Sequence, residues 1–185
     1  GSSSKLRNVC FFLSSKSVGI DVSKELSLLA EFFSSKGYGL VYGGGNRGNM
    51  GVISNEFSNK GAKVSGYTLQ LFHKKGFTPD YIDHLEVAEE FSVRKQLMID
   101  NSDIFIIFPG GLGTLDELID VVNLDGLDIL GKNIYLFNKD NFWTEIINWI
   151  EKALKMQYIP MAPPNFYVST SITEMIEQIE SNEKL

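Results

Sequence analysis

Residues 109–117 read Pro-Gly-Gly-Leu-Gly-Thr-Leu-Asp-Glu, between the apolar run 104–108 and an apolar pattern that continues to Val122. A turn needs one glycine, and this one has Gly110, Gly111 and Gly113. Glycines between a strand and a helix let backbone N–H groups approach an anion, and the helix N-terminus adds partial positive charge. Thr114 and Glu117 are spaced as a T-x-x-E capping box, which alone would account for both. Leu115, Leu118, Ile119 and Val122 follow the i, i+3, i+4, i+7 pattern and are expected to form the buried stripe of the helix. That stripe turns Glu117 towards a cleft or a partner surface. A carboxylate beside an anion loop suits a ligand that develops positive charge, as an oxocarbenium-like sugar does.

A second cluster, Tyr-Gly-Gly-Gly-Asn-Arg-Gly-Asn-Met-Gly at 42–51, places Gly43, Gly45 and Gly48 in a G-x-G-x-x-G pattern. The dinucleotide reading of that pattern also wants a carboxylate at the end of the next strand. The segment 63–70 offers none, and the cluster follows the second strand, not the first. No nicotinamide or flavin cofactor is therefore expected, and phosphate or ribose contact ranks ahead of a purely packing role. Arg94 shares a helical face with Val87, Phe91 and Met98. An arginine in an apolar stripe requires an anionic partner, because an unpaired buried charge is costly. An internal salt bridge and a bound phosphate both satisfy it, and both readings stand at this point. Lys95 is expected in solvent, able to add charge at the site.

These residues need a scaffold. Strand patterns occur at 8–13, 39–43, 63–67, 104–108 and 134–137, alternating with helical patterns at 24–36, 50–60, 85–100, 115–122, 141–155 and 171–180. Near-continuous apolar strands separated by helices predict an α/β fold: a Rossmann-like, doubly wound parallel sheet with helices on both faces. Ligands of such folds sit at the carboxyl ends of the strands. Ser171 and Glu174 have capping-box spacing and predict the start of the final helix.

Composition narrows the partners. The chain has 185 residues, 43% of them hydrophobic, enough for one sizeable core. It begins Gly-Ser-Ser-Ser, which reads as an expression-tag remnant over 1–4 and leaves 5–185 as one domain. A strand pattern follows at once and leaves no room for a signal peptide, and no apolar run has bilayer-spanning length. No membrane partner and a cytoplasmic location are expected. The net charge of −6, with scattered Lys and Arg, argues against nucleic acid. The lone cysteine, Cys10, lies in a strand pattern and is expected to be a buried structural thiol. His73 and His84 lack partners at ligand spacing, so no metal site is expected.

In order and spacing, the 42–51 cluster, Ser-Val-Arg-Lys at 92–95 and the 109–117 loop resemble the LONELY GUY family of cytokinin-activating phosphoribohydrolases, relatives of which have been mislabelled lysine decarboxylases. The resemblance runs from about Asn8 to the last helix. It implies a Rossmann-like fold and cleavage of the N-glycosidic bond of a purine nucleoside 5′-monophosphate, giving free base and ribose 5-phosphate. It places the catalytic pair at Arg94 and Glu117. Substrate binding falls on Gly44, Gly45, Lys95, Gly110, Gly111, Gly113 and Thr114, with the phosphate in the 110–114 loop. It also implies a homodimer with sites near the subunit interface. The chain departs from the family pattern at Phe12-Leu13-Ser14-Ser15, Phe91-Ser92, Leu124 and the segment 65–71. A non-catalytic nucleotide or molybdenum-cofactor carrier is the alternative on the same fold. A lysine decarboxylase is rejected, since no pyridoxal-binding lysine motif is present.

Overall fold

The computed structural model describes residues 6–185, so the expected tag remnant lies outside the described residues. Seven parallel strands form one sheet: β1 (Asn8–Phe12), β2 (Gly39–Tyr42), β3 (Val64–Leu69), β4 (His84–Ala88), β5 (Ile104–Ile107), β6 (Asn133–Phe137) and β7 (Phe166–Ser169), in the order β4-β3-β2-β1-β5-β6-β7. Every pairing is parallel, for example Cys10 with both Val41 and Phe105. The central strands are buried on both faces, which is why they read as unbroken apolar runs.

Helices cover both faces. On one lie α1 (Ser23–Ser35), α2 (Gly48–Asn59) and α7 (Ile172–Asn182), which pack Leu26, Leu29, Phe33, Ile53, Phe57, Met175 and Ile179 on the sheet. On the other lie α4 (Phe91–Asp100), α5 (Leu112–Gly126) and α6 (Thr144–Lys155), contributing Met98, Ile99, Leu118, Val121 and Ile150. A five-residue α3 (Gln70–Lys74) follows β3. Alternate residues of β1 serve the two cores: Val9 and Phe11 one, Cys10 and Phe12 the other. The doubly wound expectation holds, and Cys10 is fully buried.

The structure corrects several expected boundaries. The segment 85–100 is not one helix; it holds the edge strand β4, then α4. Most of β4 is solvent-facing, so its charged sequence carries no strand signal. The strand β7 was not anticipated either, being four residues long at the opposite edge. The buried Asp125 carboxylate fixes its approach by accepting from the backbone and side-chain N–H groups of Asn165. The stripe of α5 is Leu118, Val121, Val122 and Asp125 with Thr114, while Ile119 is exposed. Ser171 does cap α7, accepting from the Glu174 amide at 3.2 Å.

The strand order reverses at β1, whose neighbours are β2 and β5. Loops leaving the carboxyl ends of those strands therefore meet over one crevice. The loop after β1 is pressed against the start of α2, where the Met50 amide donates to the Ser14 carbonyl. Gly48 permits this: its φ is +53°, and a Cβ there would stand 2.5 Å from backbone atoms of Ser15 and Lys16. Gly48→Ala is expected to cost about 2 kcal/mol or more, from left-handed backbone plus a backbone clash. Gly61→Ala shares the left-handed φ of +74° but has open space around it, so it should cost only about 1 kcal/mol. Equal losses in urea denaturation would show that the 14–16 loop yields freely.

Candidate active site

Arg94 lies on the first turns of α4, which packs over β3 and β4. Its Nε donates to the Tyr67 carbonyl at 2.6 Å and its Nη2 to the Gly43 carbonyl at 2.8 Å. The Tyr67 carbonyl, within β3, and the Gly43 carbonyl, just after β2, thus orient the guanidinium. No internal salt bridge forms: among the described residues no carboxylate comes within ion-pairing distance of Arg94, which leaves its charge uncompensated by direct contact. Burial lowers its pKa, while the field of Glu117 works the other way. The guanidinium carbon also stands 5.9 Å from the centre of the Phe72 ring. Gly43 has to be glycine for this arrangement, because a Cβ would coincide with the Arg94 amino group.

The 109–113 loop carries the chain from β5 into α5. The helix begins at Leu112 with Gly111 as N-cap, and the cap makes no side-chain hydrogen bond. The expected Thr114–Glu117 capping box therefore does not form; Thr114 lies inside the first turn, with its hydroxyl turned back against Gly110. Leu115 supplies the first amide bonded back along the chain, to the Gly111 carbonyl. The amides of Leu112, Gly113 and Thr114 precede it and have no intrahelical acceptor. A Cβ on Gly111 or Gly113 would meet nothing within 4 Å, so space is open beside these amides. Free amides and open space at a helix start are the geometry that helix N-termini use to hold anions.

Glu117, freed from any capping duty, is half-buried and forms no ion pair with Arg94. Desolvation by the surrounding protein lifts its pKa to about 7, against the opposing pull of Arg94 and Lys95 and with help from Asp116. Arg94 and Glu117 are near enough to influence each other electrostatically without forming an ion pair. A carboxyl poised near neutral pH can hold or release a proton during turnover.

The remaining expected site residues divide. Gly44 is buried against Thr68, with φ +81°. Gly45 is held by its carbonyl, which accepts from the buried Tyr42 hydroxyl at 2.8 Å. The expectation of a solvated Lys95 is corrected: its ammonium lies 3.1 Å from Asp116 and 3.3 Å from Asp120. Burial alone would lower the Lys95 pKa, but the two carboxylates outweigh it and raise it. Sequence reasoning missed the Gly43 and Tyr67 carbonyls, since a backbone acceptor leaves no trace in residue type. It also missed Asp116 and Asp120, although their i, i+4 spacing marks one face of α5. Away from the site, His73 Nδ1 lies 2.9 Å from the Thr78 hydroxyl and His84 Nε2 lies 3.0 Å from Glu86.

Fold and site together define a Rossmann-like α/β protein with a glycine anion loop, an arginine and a carboxyl around one crevice. A family model described as "Possible lysine decarboxylase" matches residues 50–179. Among curated proteins, the cytokinin riboside 5′-monophosphate phosphoribohydrolase LOG1 of Arabidopsis thaliana is 32% identical over 180 residues, spanning 96% of this chain and 84% of its own. A probable phosphoribohydrolase of the same kind from Oryza sativa subsp. japonica, LOGL6, is 29% identical over 96% of this chain and 72% of its own. The chain belongs to this LONELY GUY family. Solved structures share the fold: a molybdenum cofactor binding protein from Rippkaea orientalis superposes with TM-score 0.72 at 20% identity, covering 97% of this chain and 98% of that one. The Moco carrier protein of Chlamydomonas reinhardtii does so at TM-score 0.68 and 14% identity, covering 96% and 97%.

The Glu117 shift has a consequence for stability. A carboxyl whose folded pKa lies above its unfolded value of 4.5 favours folding only while neutral. That contribution is present below pH 4.5 and is lost as pH rises through about 7. Glu117→Gln, which keeps the shape and removes the charge, should therefore be more stable than wild type at pH 8.5, by up to about 3 kcal/mol. The difference should shrink towards pH 5. A variant less stable at pH 8.5 would mean that the ionised carboxylate is well compensated.

Proposed function

We propose that the protein is an N-glycosyl hydrolase acting on a purine nucleoside 5′-monophosphate, adenine-type or cytokinin, and releasing free base and ribose 5-phosphate. The observation that carries this reading is the pairing of an open helix-terminal loop with a half-buried, carbonyl-anchored arginine and an uncapped carboxyl. The names of the curated relatives supply the reaction class. Phosphate binds at the amides of 112–114, with the Thr114 hydroxyl beside them and the Arg94 guanidinium adding positive charge. Glu117 stabilises the cation that develops on the ribose as the C1′–N bond breaks, and orients the water that adds to C1′. Its pKa near neutrality lets it take up that water's proton and return it for delivery to the departing base nitrogen, so that the base leaves neutral and Glu117 is again ionised.

Metal or redox chemistry is not required for this step. The decarboxylase description finds no support in Lys95, the lysine beside Arg94, which is committed to two carboxylates. A molybdenum-cofactor or nucleotide carrier is the second reading. Its support is the shared fold, and fold alone does not assign function. We also propose a homodimer with sites near its interface. Leu112, beside the cradle, is 85% exposed, and Val93 and Ile119 add exposed apolar surface on α4 and α5. In the C-terminal half Trp143 is buried, whereas Trp149 and Tyr158 are exposed. No helix among the described residues is long and apolar enough to cross a membrane.

Incubation with AMP and N6-substituted analogues, followed by chromatography for free base, tests the reaction. Glu117→Gln should abolish base release and leave nucleotide binding largely intact, whereas a carrier would bind and release nothing. Wild-type turnover in that variant would remove Glu117 from the mechanism. Light scattering at micromolar concentration should give twice the chain mass, and a monomer alone would refute the dimer.

The phosphate supplies a further test. Charge-assisted hydrogen bonds contribute roughly 1.5–3 kcal/mol each, so losing two or three should cost about 4–6 kcal/mol, some thousandfold or more in kcat/KM. Adenosine should therefore be a very poor substrate beside AMP. Part of that binding energy fixes the ribose for bond cleavage, so kcat should fall as well as affinity. Arg94→Ala should narrow the gap, chiefly by damaging the AMP reaction. Similar kcat/KM for both substrates would mean that the loop is no phosphate cradle.

A further inference from the structure

The residues that follow Arg94 and precede Glu117 are bonded to each other. Arg94 and Lys95 are consecutive on α4, and Asp116 and Glu117 are consecutive on α5. The inward members, Arg94 and Glu117, sense each other electrostatically across a gap. The outward members close on one another: Lys95 Nζ lies 3.2 and 3.1 Å from the two Asp116 carboxylate oxygens and 3.3 Å from Asp120. The helices rest on different parts of the sheet, α4 against β3 and β4 and α5 against β1. Met98 and Ile99 of α4 share a core with Leu118 and Val121 of α5, and among the described residues Lys95 makes the polar contacts between the two helices.

We propose that Lys95 is a positioning residue, clasping Asp116 and Asp120 so that the α4-to-α5 spacing, and with it the separation of Arg94 and Glu117, is set for the reaction. The proposal rests on the roles given to Arg94 and Glu117 above. A lysine suits the task because one ammonium has three donors and can serve two carboxylates one helical turn apart. Asp116 and Asp120 also leave Lys95 without free charge to offer a phosphate, so its contribution runs through the helices. Arg94 is already fixed at two points by the Gly43 and Tyr67 carbonyls. Glu117 has no such anchor, and α5 is the element whose placement the clasp governs.

Separations matter at this scale, since a misplacement of about 1 Å can cost some hundredfold in rate. The test is a mutant cycle on the full chain: Lys95→Met, the pair Asp116→Asn with Asp120→Asn, and all three together. Kinetics use whichever nucleoside 5′-monophosphate the wild type cleaves, and calorimetry measures binding of ribose 5-phosphate. Lys95→Met and the double Asn variant should each lower kcat by about ten- to a hundredfold. KM and the ribose 5-phosphate Kd should stay within about twofold, and Lys95→Arg should recover most of the rate. The triple variant should be no slower than either parent, because the clasp is already broken. A tenfold or greater rise in KM and in Kd for Lys95→Met, additive with the Asn changes, would overturn the proposal and make Lys95 a phosphate ligand. A lowered melting temperature with unchanged kcat would overturn it too, leaving only a structural ion pair. Glu117→Gln is assayed alongside: if it retains turnover, the parent assignment fails independently of the clasp.

Discussion

The site hangs on an arginine whose hydrogen bonds go to backbone rather than to a carboxylate. Tyr67 lies within β3 and Gly43 directly follows β2, and Arg94 donates to the carbonyls of both. Such an arrangement satisfies the polar requirement of a buried donor without neutralising its charge. An aspartate in the same place would have compensated the charge and left nothing for an anionic ligand. The turn at Gly43 and the entry of α4 bring this side chain to those two carbonyls. The absence of a Cβ at Gly43 is the local condition for it.

That uncompensated charge explains how Glu117 is tolerated. A carboxyl desolvated this far prefers its neutral form, and its pKa near 7 records the balance between burial and the fields of Arg94 and Lys95. The ion pairs outside the crevice belong to the same balance. Asp116 raises the Glu117 pKa and Lys95 lowers it, so the paired groups act on it in opposite directions. The protein thereby keeps a cation and a carboxyl close together without letting them collapse into a salt bridge. Both stay available to a third party.

Much of this could be read in the residues, for physical reasons that also mark the limits. Central parallel strands are apolar on both faces, so 8–12, 39–42 and 104–107 announce themselves. The edges β4 and β7 face solvent and look like anything else polar. The glycine loops were legible because glycine is informative wherever backbone must come close. The Thr114–Glu117 pattern misled in one respect: the helix starts earlier than the box requires, at Leu112, and puts Thr114 inside the first turn. The period of the helix was right and its phase was not, because Ile119 faces out where Val121 faces in. Lys95 was assigned to solvent because its partners lie about twenty residues away on another helix, a contact that only the folded chain creates.

The departures from the family pattern fall at unequal distances from the crevice. Leu13 is 2% exposed and Thr68 also 2%, and Leu124 is half-buried beside the α5–α6 core, so these positions act through packing. Phe91 is different. It stands at the head of α4, 62% exposed, its ring edge-on to Phe72 at 6.4 Å, and Phe72 lies beneath the Arg94 guanidinium. An exposed phenyl ring offers a flat apolar surface with no donor to read a polar edge. Under the proposed function, selectivity at that end would come from shape and apolar contact, while the 110–114 loop and Arg94 would recognise the phosphate. The division follows from the construction: fixed polar groups sit on the sheet's carboxyl edge, and the variable surface sits on a helix start that the sheet does not constrain.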